Sequence, residues 1–238
     1  MAHSSPLSSG DPADAPVAKG RAFWLVGGVV VVAGLVGLDH VFYEHVSQRL
    51  NTEQNPFDRD FYALTKPFWI ACRYGFGHVL GGMAMYFVLL AVPSKGWRVA
   101  NAALIAVLAA ALVANVAQGA IGRLRPNRSE GHLRFAKPFS RFFEKGKVSL
   151  PSGEAATAFA LAGVLTRLFP RGMRAFYTAG TLAAAARLVN GAHYLSDVAA
   201  GAMLGTLVGG AIFSLATGIE DRWRPRGAVP GQPSSGTT

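Results

Sequence analysis

The chain has 238 residues, of which 15% are charged and 51% hydrophobic, and it carries a formal net charge of +10. So apolar a composition excludes a disordered protein, which needs low hydrophobicity and high charge, and argues against an ordinary soluble enzyme, whose charged fraction is roughly 25%. The single cysteine, Cys72, excludes an internal disulfide and a multi-cysteine zinc site.

Taken in chain order, residues 1–21 are rich in Ser, Pro, Gly and Asp and are expected to form a disordered tail. The first uncharged run follows at 22–38. It is too long, starts too late and lacks a small-residue cleavage site, so it reads as a membrane span and not as a cleaved signal peptide. Residues 39–73 mix charge with dense aromatics, among them Phe42, Tyr43, Phe57, Phe61, Phe68 and Trp69. That composition suits either a segment lying on the bilayer surface or a packed loop cap. Further uncharged runs occupy 74–93, 99–122 and 198–219. Each is long enough to cross the hydrocarbon core, which takes roughly 17–25 mostly apolar residues. Two shorter apolar stretches, 155–169 and 175–189, meet charge only near their ends, at Glu154, Arg167 and Arg187. They span if those ends reach the interface or face the inside of a bundle. The expectation is an all-α integral membrane bundle of six helices over residues 22–219, with a second disordered tail at 220–238.

Basic residues near the N-terminus, in the turns at Lys95/Arg98 and Arg171/Arg174, and in the C-terminal tail put both ends in the cytoplasm by the positive-inside rule. The loop 123–150 opposes this. Its part 123–147 holds eight basic residues against Glu130 and Glu144, and it would face outward. Either the topology is inverted or the loop is basic for another reason.

Three segments supply that reason. They are Gly122-Arg123-Leu124-Arg125-Pro126, Pro151-Ser152-Gly153-Glu154, and Arg187 followed by His193 and Asp197. With alternating spans all three fall on one face of the membrane. Arginines are fork-shaped donors suited to phosphate oxygens. Ser152 and Gly153 open a helix, whose free N–H groups and dipole favour an anion. His193 and Asp197 share a face if the helix begins by His193, so the carboxylate can orient the imidazole as a nucleophile. Singly, each feature is more often structural; together on one face they point to a phosphate site.

On these motifs the chain resembles the type 2 phosphatidic acid phosphatase (PAP2) superfamily of membrane lipid phosphatases. That pattern runs Lys, six residues, Arg-Pro; then Pro-Ser-Gly-His; then Ser-Arg, five residues, His, three residues, Asp. The resemblance covers about residues 74–217, and ARLVNGAHYLSD is its most specific match. It implies that Arg125 and Arg187 bind phosphate with help from Ser152 and Gly153, that His193 becomes a phosphohistidine, and that Asp197 orients it. It implies no metal or cofactor and a phosphorylated lipid substrate; the positive-inside orientation then puts the site on the periplasmic face of the inner membrane. A nucleic-acid partner is not expected, because the basic loop lies beside the bilayer and the motifs and the aromatics lie elsewhere.

Two positions depart from the pattern. Gln118 stands where the lysine is expected, with Arg123 a candidate to supply the charge. Glu154 stands where the general-acid histidine is expected. A glutamate protonates a leaving group only while it holds a proton, which nearby arginines oppose and a bound phosphate dianion favours. Glu154 is therefore the acid when substrate is bound, the base for the water that hydrolyses phosphohistidine, or the mark of an inactive relative that binds anionic headgroups. PSGEAATAFALA resembles a bacterial subgroup with some lipid A phosphatase-like members, which favours activity. His132 is a second candidate acid. The candidate substrates are a polyprenyl diphosphate, a phosphatidate-type lipid or lipid A; weak protonation matters least for an acidic leaving group, which tilts the choice toward a polyprenyl diphosphate over simple alkyl phosphates.

Overall fold

The computed structural model describes residues 15–48, 56–91, 96–128, 131–140 and 146–223, and the outer parts of both predicted tails lie outside them. Seven α-helices are present among these residues: α1 (Ala15–Phe42), α2 (Pro56–Cys72), α3 (Val79–Leu90), α4 (Gly96–Ile121), α5 (Gly153–Leu168), α6 (Met173–Val189) and α7 (Leu195–Trp223). Among the described residues three stretches are long and apolar enough to cross a membrane: Leu25–His45, Val99–Ile121 and Leu195–Ala216. At 1.5 Å per residue each reaches about 30 Å. α1 turns most of its valines and leucines outward, with Val26, Val29, Val30 and Val31 all exposed, as a lipid-facing helix does. These are the helices of an integral membrane protein.

The other three predicted spans are shorter. α5 has 16 residues and α6 has 17. α5 is enclosed, packing against α4, α6 and α7, with Ala155–Ala158 and Ala160–Leu165 buried. The run 74–93 is broken. Arg73–Gly77 form a π-helical turn, His78 is extended, and α3 starts at Val79, where the His78 Nδ1 accepts the Leu80 N–H.

Alanine and glycine let these helices approach closely. Gly201, Gly205 and Gly209 recur every fourth residue on α7 and lie against Ser152, which caps α5, and Ala156 and Ala160 within it. A β-carbon on Gly205 would stand 2.1 Å from the Ala156 carbonyl oxygen. This is the small-residue packing that membrane helices use in place of a hydrophobic driving force.

The segment 39–73 is mostly helical. Its first residues complete α1, a π-helical turn follows at Tyr43–Gln48, and α2 closes it. α2 packs on α6 and on the 73–77 turn, and its Tyr62 hydroxyl donates to Asn190 Oδ1. The basic loop folds back through two isolated antiparallel bridges, Arg123 with Phe135 and Leu124 with Val148. Gly122 enters it with φ +71°, where a β-carbon would stand 2.5 Å from the Ala136 oxygen. The C-terminal ends of α1, α4 and α6 and the N-terminal ends of α3, α5 and α7 thus gather at one end of the bundle.

Candidate active site

A cavity of about 400 Å3 opens at that end. Its lining includes Gln118, Arg125, Gly153, Glu154, Thr157 and His193, so all three motifs reach it. No group of three or more His, Cys, Asp or Glu arranged to hold a metal occurs among the described residues.

His193 lies in the loop between α6 and α7 and is 2% exposed. Its Nδ1 is 3.0 Å from the Ser149 carbonyl oxygen. A carbonyl only accepts, so Nδ1 carries the proton and Nε2 keeps its lone pair. Burial pushes the imidazole below the usual histidine range, the Arg125 and Arg187 charges push the same way, and Asp197 opposes them.

Asp197 corrects the expectation of a direct His–Asp bond. α7 begins at Leu195, two residues after His193, so the pair never shares a helical face. Asp197 Oδ2 is 3.7 Å from Nδ1. It accepts the Tyr194 N–H at 2.9 Å, the reach of a third-position acid back to the residue before the helix. The ring is oriented by a backbone carbonyl, and Asp197 fixes the start of the helix that carries the loop.

Arg123 is the second correction. Its Nε and Nη2 donate to the His132 carbonyl, Nη1 to Ser196 Oγ and Asp197 Oδ1, and Nη2 also to Asp39 Oδ2. The guanidinium lies over the Tyr194 ring at 4.2 Å and is 1% exposed. All five N–H groups are engaged, which leaves none for phosphate. Ser152 is the third. It is fully buried, its hydroxyl accepts the Ala155 N–H at the head of α5, and its own N–H donates to the Asp197 carbonyl. His132 stacks on His40 at 5.6 Å and is absent from the cavity lining.

Arg125 does line the cavity, with Nε bonded to the Val148 carbonyl at 3.0 Å. Gln118 lines it too and donates to the Pro151 carbonyl at 2.6 Å, tying α4 to the second motif. Arg187 is 5% exposed; its Nε lies 3.1 Å from Glu154 Oε2 but makes no hydrogen bond. Glu154 is gripped from the other side by Arg73, whose Nε reaches Oε2 at 2.9 Å and Oε1 at 3.1 Å and whose Nη2 reaches Oε1 at 2.8 Å.

Two residues escaped the sequence reading: Asp39 and Arg73. Asp39 is fully buried and accepts from Arg123, from the Ser196 N–H at 2.8 Å and from the Ser196 hydroxyl. Their signal was position. Each is a charge at the end of an apolar run, on the side of the bundle where the motifs lie.

Two curated relatives, each named lipid A 1-phosphatase, come from Rhizobium johnstonii and Rhizobium etli. Each is 40% identical over 111 residues, 45% of this chain. The chain spans 42% and 44% of their lengths, respectively. The crystal structure of a PAP2-type phosphatidylglycerolphosphate phosphatase from Bacillus subtilis aligns over 84% of this chain and 96% of its own, with TM-score 0.45 and 18% identity. The model of the PAP2 superfamily matches residues 99–220, from α4 through the cavity motifs into α7, and the chain belongs to that superfamily.

Proposed function

We propose that this chain is an integral-membrane phosphatase that removes phosphate from a lipid. His193 Nε2 attacks phosphorus, the bond from phosphorus to the lipid oxygen breaks, and water then cleaves the phosphohistidine to release inorganic phosphate. Arg125 and Arg187 hold the phosphate, and the head of α5 at Gly153 adds its dipole. The observation that carries this reading is the Nδ1 bond to Ser149, because it leaves the nucleophilic nitrogen unprotonated on a side chain that lines the cavity together with Arg125. The two relatives named for lipid A favour that lipid. The glutamate at the acid position favours a diphosphate, whose leaving group needs less protonation.

The test is phosphate release in detergent from lipid A, undecaprenyl diphosphate, phosphatidic acid and phosphatidylglycerophosphate, by wild type and His193→Ala. Release from at least one lipid that vanishes in His193→Ala, with a labelled adduct on His193, is the expected result. Release that survives His193→Ala would overturn the mechanism. A second reading, a silent binder of anionic headgroups, is favoured by the engagement of Glu154 with Arg73, which leaves no evident proton donor there. No release by wild type from any of the four lipids would select it.

The membrane unit is taken as residues 22–219, with 39–73 at the interface and 123–150 as the wall of the site. Both termini are assigned to the cytoplasm and the site to the periplasmic face of the inner membrane. A reporter fused after Thr238 should read cytoplasmic, and a periplasmic signal would invert the assignment.

A further inference from the structure

Glu154 is ion-paired with two arginines and hydrogen-bonded to only one of them. Arg73, from the turn after α2, holds the carboxylate through three contacts of 2.8–3.1 Å. Arg187 comes within 3.1 Å through Nε, yet this N–H finds no hydrogen-bond partner although the residue is 5% exposed. A buried guanidinium N–H left unsatisfied beside a carboxylate is costly, and a small movement of that carboxylate would satisfy it. What opposes the movement is the two-pronged grip of Arg73.

We propose that Arg73 is a positioning residue that keeps the Glu154 carboxylate from closing a hydrogen bond on Arg187, so that the buried N–H of Arg187 stays available to the phosphate group of the substrate. This rests on the reading of Arg187 as a phosphate-binding residue. Glu154 is then a potential competitor for the phosphate site, kept in place by a cation from outside the three motifs. Gln118 cannot take over that task, since it is uncharged and its amide is bonded to Pro151. The α2 segment, with Phe61, Leu64 and Phe68 exposed, thereby joins the outer surface of the protein to the phosphate pocket.

The experiment is titration calorimetry of inorganic phosphate into the full-length protein in detergent, for wild type, Arg73→Gln, Arg73→Lys, Glu154→Gln and Arg73→Gln/Glu154→Gln. Each variant is first checked for a wild-type-like melting profile. Losing one charge-assisted bond to phosphate corresponds to about a tenfold or greater loss of affinity. Arg73→Gln should show that loss, because the released carboxylate closes on Arg187. The double variant should regain affinity, because the competitor is gone. Glu154→Gln alone should bind at least as tightly as wild type, and Arg73→Lys should fall between wild type and Arg73→Gln. A purely structural role for Arg73, or direct contact of Arg73 with phosphate, predicts no rescue, so a double variant as weak as Arg73→Gln overturns the proposal. Unchanged binding by Arg73→Gln, or no phosphate binding by wild type, also overturns it. Binding needs no turnover, so a wild type that binds phosphate but releases none from lipids would refute the phosphatase reading and leave this one standing.

Discussion

Replacing Arg123 by glutamine separates a structural arginine from a phosphate-binding one. The guanidinium spends its five N–H groups on His132, Asp39, Ser196 and Asp197, and both carboxylates are 0% exposed. Glutamine leaves two buried carboxylates without their cation. Removing one partner of a buried ion pair costs about 3–5 kcal/mol. For a chain of this size each kcal/mol lowers the melting temperature by about 2–4 °C, so the variant should melt roughly 6–20 °C below wild type. Asp39→Asn is milder, because Arg123 keeps Asp197, and should cost about 1.5–3 kcal/mol, the worth of one charged hydrogen bond. The assay is thermal unfolding followed by tryptophan fluorescence in detergent, paired with inorganic phosphate titration well below the transition. Arg125→Gln is the counterpart, which should lose phosphate affinity and melt closer to wild type. An Arg123→Gln protein that melts with wild type but no longer binds phosphate would refute the assignment of Arg123 to the framework.

Other outcomes follow from the same geometry. Burial places the His193 imidazole below its ordinary value of 6.5, so kcat/KM should hold as pH falls through 6.5 and drop only at lower pH. In that window the unfolded chain binds more protons than the folded one, so stability also declines as pH falls; an acid limb centred at or above 6.5 would contradict the environment described. Gly205→Val puts a β-carbon 2.1 Å from a backbone oxygen that cannot rotate away, and should cost about 1–3 kcal/mol or more as α5 and α7 part. Gly34→Ala meets nothing within 4 Å and should be neutral or stabilising by up to about 1 kcal/mol, so equal losses in the two variants would refute the close-packing argument.

Much of the architecture was legible because a membrane demands it. Charge-free runs marked α1, α4 and α7, and their alternation was enough to gather the motifs at one end. The interruption at His78 was less visible, since the run 74–93 is uncharged throughout and no charge marks the break. α2 was hidden by its mixed composition, which suits a surface helix and a loop equally.

Part of the cavity's lining was likewise legible from spacing: Gln118, Arg125, Gly153, Glu154 and His193 line it, Arg187 is absent from that lining, and Asn115 and Thr157 in it belong to none of the motifs. What each residue bonds to was not. Hydrogen-bond partners depend on where helices start and on which donors are already taken, and both are decided in three dimensions. Because α7 starts at Leu195, Asp197 caps a helix and a carbonyl 44 positions away orients His193. Because α1 ends beside α7, Asp39 meets Ser196 across 157 positions and Arg123 is drawn inward. Because the 73–77 turn lies over α5, Glu154 finds Arg73 across 81 positions. Composition and local order therefore determined a helical membrane protein with a cationic end. Only the packing of distant segments decided that Arg123 serves the fold, since an arginine's availability depends on every acceptor within its reach.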